Sequence, residues 1–249
     1  MIHPISPDML GAKQLRDEFY PDLARTLFWS VEWDPEFYVA LAQAGFISIS
    51  MRDPEYGVVL APELQEAYAV LDWPNIHVSR SVQRLRGSDR LSREDIELRV
   101  VGGGALVLEH LLAYHKPETW LSEAYCDLLK ALPFENGSEF ALRGIELWSN
   151  KQGKLVAGEL GYTIGRTYTS LSGFCNRPDR EWRHFGTLQM VMLAEHLRDL
   201  GYAFWNMGHP EQKYKRELGA RIIAREEFLP RWLGASCEEP DEVLGARVS

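Results

Sequence analysis

The sequence predicts an α+β fold: a mixed, largely antiparallel sheet flanked by helices, with a small N-terminal lobe in front of it. Three observations predict it. Apolar runs at 143–149, 155–163 and 166–172 are separated only by 150–154, which contains Gly153, and by Gly165, the spacing of a three-stranded meander. Amphipathic segments of helical period stand on both sides of the meander. Ahead of them, 46–73 alternates apolar residues in short runs broken by Pro54 and Pro62, the pattern of strands and loops in a separate lobe.

Taken in order, the first firm element is a helix over 34–45. Asp34 can cap it, Pro35 suits the first helical position, Glu36 complements the positive end of the dipole, and Gly45 closes it. A strand is predicted at 96–101 and helices at 105–114 and 122–132, the second capped by Ser122. The meander follows, then a helix over 187–200 with Met190, Val191, Leu193, Ala194 and Leu197 inward and Gly201 at its end, then a strand over 202–207. The division expected is a small lobe over 1–75, the main domain over 76–234, and a frayed acidic tail over 235–249. Gly102, Gly103 and Gly104 lie between a strand and a helix, but without the remaining glycine of a dinucleotide fingerprint they read as a plain turn.

Composition excludes several functional classes. The chain has 249 residues, 45% hydrophobic and 25% charged, an ordinary globular balance. Its net charge of -9 disfavours indiscriminate binding to polyanions, so nucleic-acid contact requires a local basic patch. That patch is present at 79–93, where Arg80, Arg84, Arg86, Arg90 and Arg93 are opposed only by Asp89. Cys126, Cys175 and Cys237 form no paired motif, and the seven histidines show no metal-ligand spacing. No metal is expected, nor a membrane span, and a reducing cytoplasmic location and a monomer fit best.

The most informative stretch for chemistry is 167–200. A strand ending near Phe174 leads through a loop with Arg177 and Arg180 into Arg183 and Gly186, where a helix opens. Backbone amides and the helix dipole there can hold an anion. Arg183 and Gly186 make this similar to the pyrophosphate-binding turn of Gcn5-related N-acyltransferases, although the next small position of that turn is Leu188 here.

The blocks Ile76-His-Val-Ser-Arg-Ser-Val82, Thr119-Trp-Leu-Ser-Glu-Ala-Tyr125, Gly144-Ile-Glu-Leu-Trp148, Leu155-Val-Ala-Gly158, Ile164-Gly165 and Leu218-Gly-Ala220 resemble successive segments of the leucyl/phenylalanyl-tRNA–protein transferases, in the same order and at similar separations. The likeness spans most of 29–233. It implies an N-acyltransferase-like main domain and transfer of an aminoacyl group from a charged tRNA to the α-amine of a protein N-terminus. The aminoacyl-tRNA would be the co-substrate and a protein or peptide N-terminus the partner, with no further cofactor. The alternatives are an N-acyltransferase using acyl-CoA and a non-catalytic binding module.

Departures from that family fall where its chemistry sits. A Gly-Glu-Ser-Met-Phe-Ser block is replaced by Ser170-Leu-Ser-Gly-Phe-Cys175, which keeps Ser172 and Phe174 but puts Leu171 where the glutamate stands. An Asp-Cys-Gln block becomes Asn206-Met-Gly208. An aminoacyl ester is already activated, so the remaining work is to align the amine, remove its proton and stabilise an oxyanion. Glu159, a charged residue in an apolar strand, is the expected base, with Asn206 orienting the amine and Tyr168 and His209 as proton carriers. Trp120, Ser172, Phe174 and Trp205 are the expected substrate-binding residues. Arg80, Arg84, Arg86, Arg183 and Gly186 are the expected tRNA or phosphate contacts, aided by Lys213, Lys215 and Arg216.

Overall fold

A computed structural model describes residues 2–115, 119–176 and 180–245 and the backbone of 247–248. Arg177 of the expected anion loop lies outside the described residues. In chain order the strands are β1 His3–Pro4, β2 Phe28–Trp29, β3 Ile47–Asp53, β4 Gly57–Glu63, β5 Ala67–Leu71, β6 Ile96–Gly102, β7 Phe140–Ser149, β8 Lys154–Ile164, β9 Thr167–Cys175, β10 Phe204–Gly208, β11 Arg221–Ala224 and β12 Arg247–Val248. The helices are α1 Ala12–Gln14, α2 Pro35–Gln43, α3 Arg80–Arg86, α4 Arg90–Glu94, α5 Ala105–Tyr114, α6 Glu123–Ala131, α7 Phe185–Asp199, α8 Lys213–Leu218 and α9 Arg225–Ser236.

The chain is α+β, built on a sheet in the order β11-β5-β10-β9-β8-β7-β6-β12. The meander β7-β8-β9 is antiparallel as expected, and the single parallel neighbours in this sheet are β9 and β10. Asp34 caps α2 by accepting from Phe37 N at 2.9 Å, and Ser122 caps α6 by accepting from Tyr125 N at 3.3 Å. Gly45, with φ 89, ends the α2 segment in a conformation that glycine adopts without strain. The glycine run is the plain turn expected: Gly103 and Gly104 both have positive φ, and a Cβ on Gly104 would lie 2.9 Å from Gly144 Cα on β7.

Each face of the sheet carries its own core. On one, Leu142, Leu160, Tyr162 and Phe204 meet α2, α5, α6 and α9. On the other, Ile145, Leu147, Tyr168 and Trp205 meet α7, whose Leu188, Val191 and Leu197 are fully buried. Each such side chain stabilises the fold by about 1.5–3 kcal/mol relative to exposure.

Three expectations need correction. The small lobe does not extend to residue 75, because β5 lies in the main sheet between β11 and β10. Its run Tyr68 to Leu71 is fully buried, which only an interior strand permits. The tail is not frayed through 245: Leu244 is fully buried and its N–H donates to Tyr202 Oη at 3.1 Å, while Glu242 N donates to Leu200 O. Finally, α7 opens at Phe185, two residues before the expected start, so Gly186 lies inside its first turn.

Candidate active site

The parallel neighbours β9 and β10 are in register only over Thr167 to Thr169 and Phe204 to Asn206. Beyond that point β9 runs on to Cys175 while β10 ends at Gly208, so the pairing of the two strands stops and they form a fork at their carboxyl ends. Such a position is where open sheets present their ligand sites. Asn206 marks the parting point. Its Nδ2 donates to Thr169 Oγ1 on β9 at 3.4 Å and its Oδ1 accepts from Gly208 N at 3.0 Å. The amide expected to orient the amine is thus engaged in holding the fork itself.

Glu159 projects from the middle of β8 and is 6% exposed. Its Oε1 accepts from Tyr168 Oη at 2.9 Å and from Ser170 Oγ at 2.8 Å, and Ser170 Oγ in turn accepts from Trp205 Nε1 at 2.7 Å. Tyr168 and Ser170 therefore converge on one carboxylate oxygen, Trp205 supports Ser170 from behind, and among the described residues none donates to Oε2. Burial pushes the Glu159 carboxyl up to about 7, opposed by the bonds from Ser170 and Tyr168 and by the charge of Lys215. Tyr168 is held well above the ordinary phenol value by burial and by Glu159, so it is a donor at neutral pH. Gly161 makes the arrangement possible, because a Cβ there would overlap the Tyr168 hydroxyl and lie 2.5 Å from Thr169 O.

A β-bulge then divides the expected site residues. Leu160 pairs with Ser172 and Gly161 with Ser170, leaving Leu171 as the extra residue on β9. Past the bulge, Ser172 and Phe174 turn to the opposite face, toward α5. Ser172 Oγ lies 3.2 Å from His115 Nε2, and the Phe174 ring stacks on His110 at 5.0 Å. The single apolar pocket expected from Trp120, Phe174 and Trp205 is therefore corrected: Trp205 belongs to the α7 face, Phe174 to the α5 face. Trp120 packs edge-on against Tyr125 at 5.2 Å, and its carbonyl accepts from Ser50 Oγ.

The basic residues also separate. Arg80 and Arg84 are exposed on α3, and Lys213 and Arg216 are exposed on α8. Arg86 instead forms a two-pronged pair with Glu195 of α7, one bond being Nη1 to Oε1 at 2.9 Å, and is committed to joining α3 to α7. Lys215 is buried, which removes it from any phosphate-facing surface. Arg183 is exposed just before α7, where His184 takes the left-handed φ of 72 and no side chain caps the helix. Gly186 lets α7 approach β9, since a Cβ there would lie 3.0 Å from Cys175 Cβ. His209 is exposed at the end of β10 and bonded to Glu63, which raises its midpoint. Sequence reading missed His110 and His115 as partners of Phe174 and Ser172 and Lys215 as a partner of the β10 end; a histidine on apolar α5 and another just past its end gave the signal for the first pair.

A family model for leucyl/phenylalanyl-tRNA protein transferase matches residues 70–232. The chain belongs to this family. The matched span runs from within β5 to within α9, so this leucyl/phenylalanyl-tRNA protein transferase family segment contains the fork and the Glu159 cluster. Among solved structures, the chain is similar to the C-terminal domain of a protein described as a lysylphosphatidylglycerol synthetase from Agrobacterium fabrum, at 17% identity and a TM-score of 0.42, covering 80% of this chain and 66% of that one. It is similar to L-PGS from Bacillus licheniformis at 14% identity and a TM-score of 0.41, over 73% of this chain and 51% of that one. It is also similar to a GCN5-related N-acetyltransferase from Kribbella flavida, at 13% identity and a TM-score of 0.36, over 89% and 74%. No curated protein matches the sequence. Among the described residues no helix is long and apolar enough to cross a membrane, and no group of His, Cys, Asp and Glu is arranged to hold a metal.

Proposed function

We propose that this member of the leucyl/phenylalanyl-tRNA protein transferase family moves an aminoacyl group from the 3′ end of a charged tRNA to the α-amine of a protein N-terminus, with Glu159 as general base. The observation that carries the reading is the state of Glu159: buried beside the β9–β10 fork, with Oε1 fixed by two donors, Oε2 uncommitted among the described residues, and a midpoint near 7. A base poised at neutral pH has the driving force to take a proton that an ordinary carboxylate lacks.

In the proposed step the amine nitrogen attacks the ester carbonyl carbon and its excess proton passes to Glu159 Oε2. The tetrahedral oxyanion collapses, the bond to the ribose oxygen breaks, and the proton returns to that oxygen. Tyr168 and Ser170 keep the carboxylate in one orientation throughout, and Trp205 fixes Ser170. The α7 amides and Arg183 support a phosphate of the tRNA end close by, and Arg80 and Arg84 support contact farther along it. Aminoacyl-tRNA is then the co-substrate and the chain works in the cytoplasm.

The test incubates purified protein with a mixture of charged tRNAs and peptides of different N-termini, followed by mass spectrometry of the peptides. One or more peptides should gain the mass of an amino-acid residue, and Glu159→Gln should lower the rate by roughly a hundredfold or more. Unmodified peptides with charged tRNA, but modified ones with acyl-CoA, would replace this reading with its rival.

A further inference from the structure

Arginine is among the residue types least often fully buried, yet Arg143 on β7 is 2% exposed. Its Nη1 donates to Phe134 O at 3.1 Å, whereas its Nε and Nη2, both closed to solvent, have no hydrogen-bond partner among the described residues. No carboxylate among those residues pairs with it, and the titratable neighbour that acts on it is the phenol of Tyr202. The unpaired atoms are a matched set. Nε–H and the adjacent Nη2–H point the same way along one edge of the guanidinium, the edge that fits the two oxygens of a carboxylate or phosphate. Such donors, desolvated and unanswered, cost the fold free energy that an acceptor would return.

Arg143 forms part of the wall of a cavity of about 560 Å³, within the size range of small-molecule sites. The cavity lies where β6 and β7 pair Gly102 with Arg143, two strands from β9. Gly102 lets the Phe134 segment close on β6, since a Cβ there would lie 2.9 Å from Phe134 Cδ2 and 3.2 Å from Phe134 O. Val100 and Phe134 supply apolar wall, and Asn136 adds a neutral polar side chain. Arg99, the other charged lining residue, is engaged by Glu97 and Asn150. Among the described lining residues there is no acid.

We propose that this cavity is a second ligand site, one that takes a small apolar carboxylic acid as its anion. The carboxylate oxygens accept from Arg143 Nε and Nη2, and the hydrocarbon body lies against Val100 and Phe134. A turn of the guanidinium about its own stem brings the free edge to the cavity, a side-chain change of the kind binding commonly involves. An α-amino acid is disfavoured, because its ammonium meets no acidic side chain and is repelled by Arg143. Inorganic phosphate fits the fork but leaves the apolar wall uncovered. The site uses neither Glu159 nor Asn206, so it stands apart from the reaction proposed above.

The test is isothermal titration of the full chain with isovalerate, compared with 3-methylbutanol, L-leucine and inorganic phosphate. Isovalerate should bind saturably at one site per chain and at least about tenfold more tightly than each of the others, of which the alcohol keeps the body and lacks the anion. Arg143→Lys retains the charge but loses the fork, and should weaken isovalerate by about tenfold or more. Should that variant fail to fold, Phe134→Ala carries the location: Phe134 is exposed, the backbone carbonyl remains, and isovalerate affinity should fall about three- to tenfold. No isovalerate binding up to about 10 mM overturns the proposal, as does equal binding of the alcohol, leucine or phosphate. An affinity unchanged in Arg143→Lys or in Phe134→Ala overturns it equally.

Discussion

Glu159→Gln should stabilise the protein, and increasingly so as the pH rises. An unfolded glutamate titrates near 4.5, whereas burial lifts the folded midpoint to about 7. The folded state therefore holds the proton more tightly than the unfolded one, and its stability falls as pH rises from the first value through the second. Between pH 5 and pH 8 the loss is on the order of 2–3 kcal/mol, because each unit of separation is worth about 1.4 kcal/mol. Glutamine keeps an acceptor for Tyr168 and Ser170 and never ionises, so the variant escapes this loss. Urea melts of both proteins at pH 5, 6.5 and 8 measure the difference, and thermal melts should show the variant gaining roughly 5–10 °C relative to the native chain across that window. His209 also titrates there, but it is present in both proteins and cancels in the comparison. A stability difference that does not change with pH would refute the reasoning, since it would mean that Glu159 is solvated and ordinary.

Other consequences follow from neighbouring contacts. Ser170→Ala removes one donor to Glu159 and leaves Trp205 Nε1 buried without a partner, so stability should fall by about 1–3 kcal/mol and the acid limb of the reaction should move upward; chemical denaturation and a pH–rate profile check both. Gly161→Ala forces a methyl onto the Tyr168 hydroxyl and should lower stability by about 1–3 kcal/mol or more, read by thermal melting. Glu63→Gln should lower the His209 midpoint toward its ordinary value in an NMR titration. The pair's stabilisation, present at low pH and lost as pH rises through the raised His209 midpoint, should be under about 1 kcal/mol because His209 is half exposed. Arg84→Glu should weaken charged-tRNA binding and flatten its salt dependence, whereas Arg86→Gln should chiefly loosen α3 from α7.

The sequence made the meander, α2, α5 and α6 legible because each carries local signals that tertiary contacts reinforce: a cap, a period, a turn glycine. Glu159 was legible for a different reason, since a charge among Leu, Gly and Tyr in a strand demands partners. The bulge at Leu171 was not legible, because one extra residue in a register leaves no mark on composition, yet it sends Ser172 and Phe174 to the other face. Helix α9 was hidden by Pro230 in its interior, which ordinarily signals a break. Lys215 looked like one more surface lysine in a basic run; only the fold of α8 against the end of β10 takes it out of water. Arg86 likewise reads in sequence as a phosphate ligand, because its partner, Glu195, lies more than a hundred residues away.

The place of β5 has a consequence for how the chain reaches its native state. Both neighbours of that strand, β10 and β11, come from the last fifth of the sequence, and β5 itself from the first third. A ribosome therefore delivers an apolar strand with two open edges long before either partner emerges, and such edges invite pairing with other chains. The sheet can close only once the chain through Ala224 has emerged, so its folding is dominated by long-range closure rather than progressive along the chain. A chain cut short before Ala224 would leave a β5 edge exposed, and aggregation is the fate expected of such fragments.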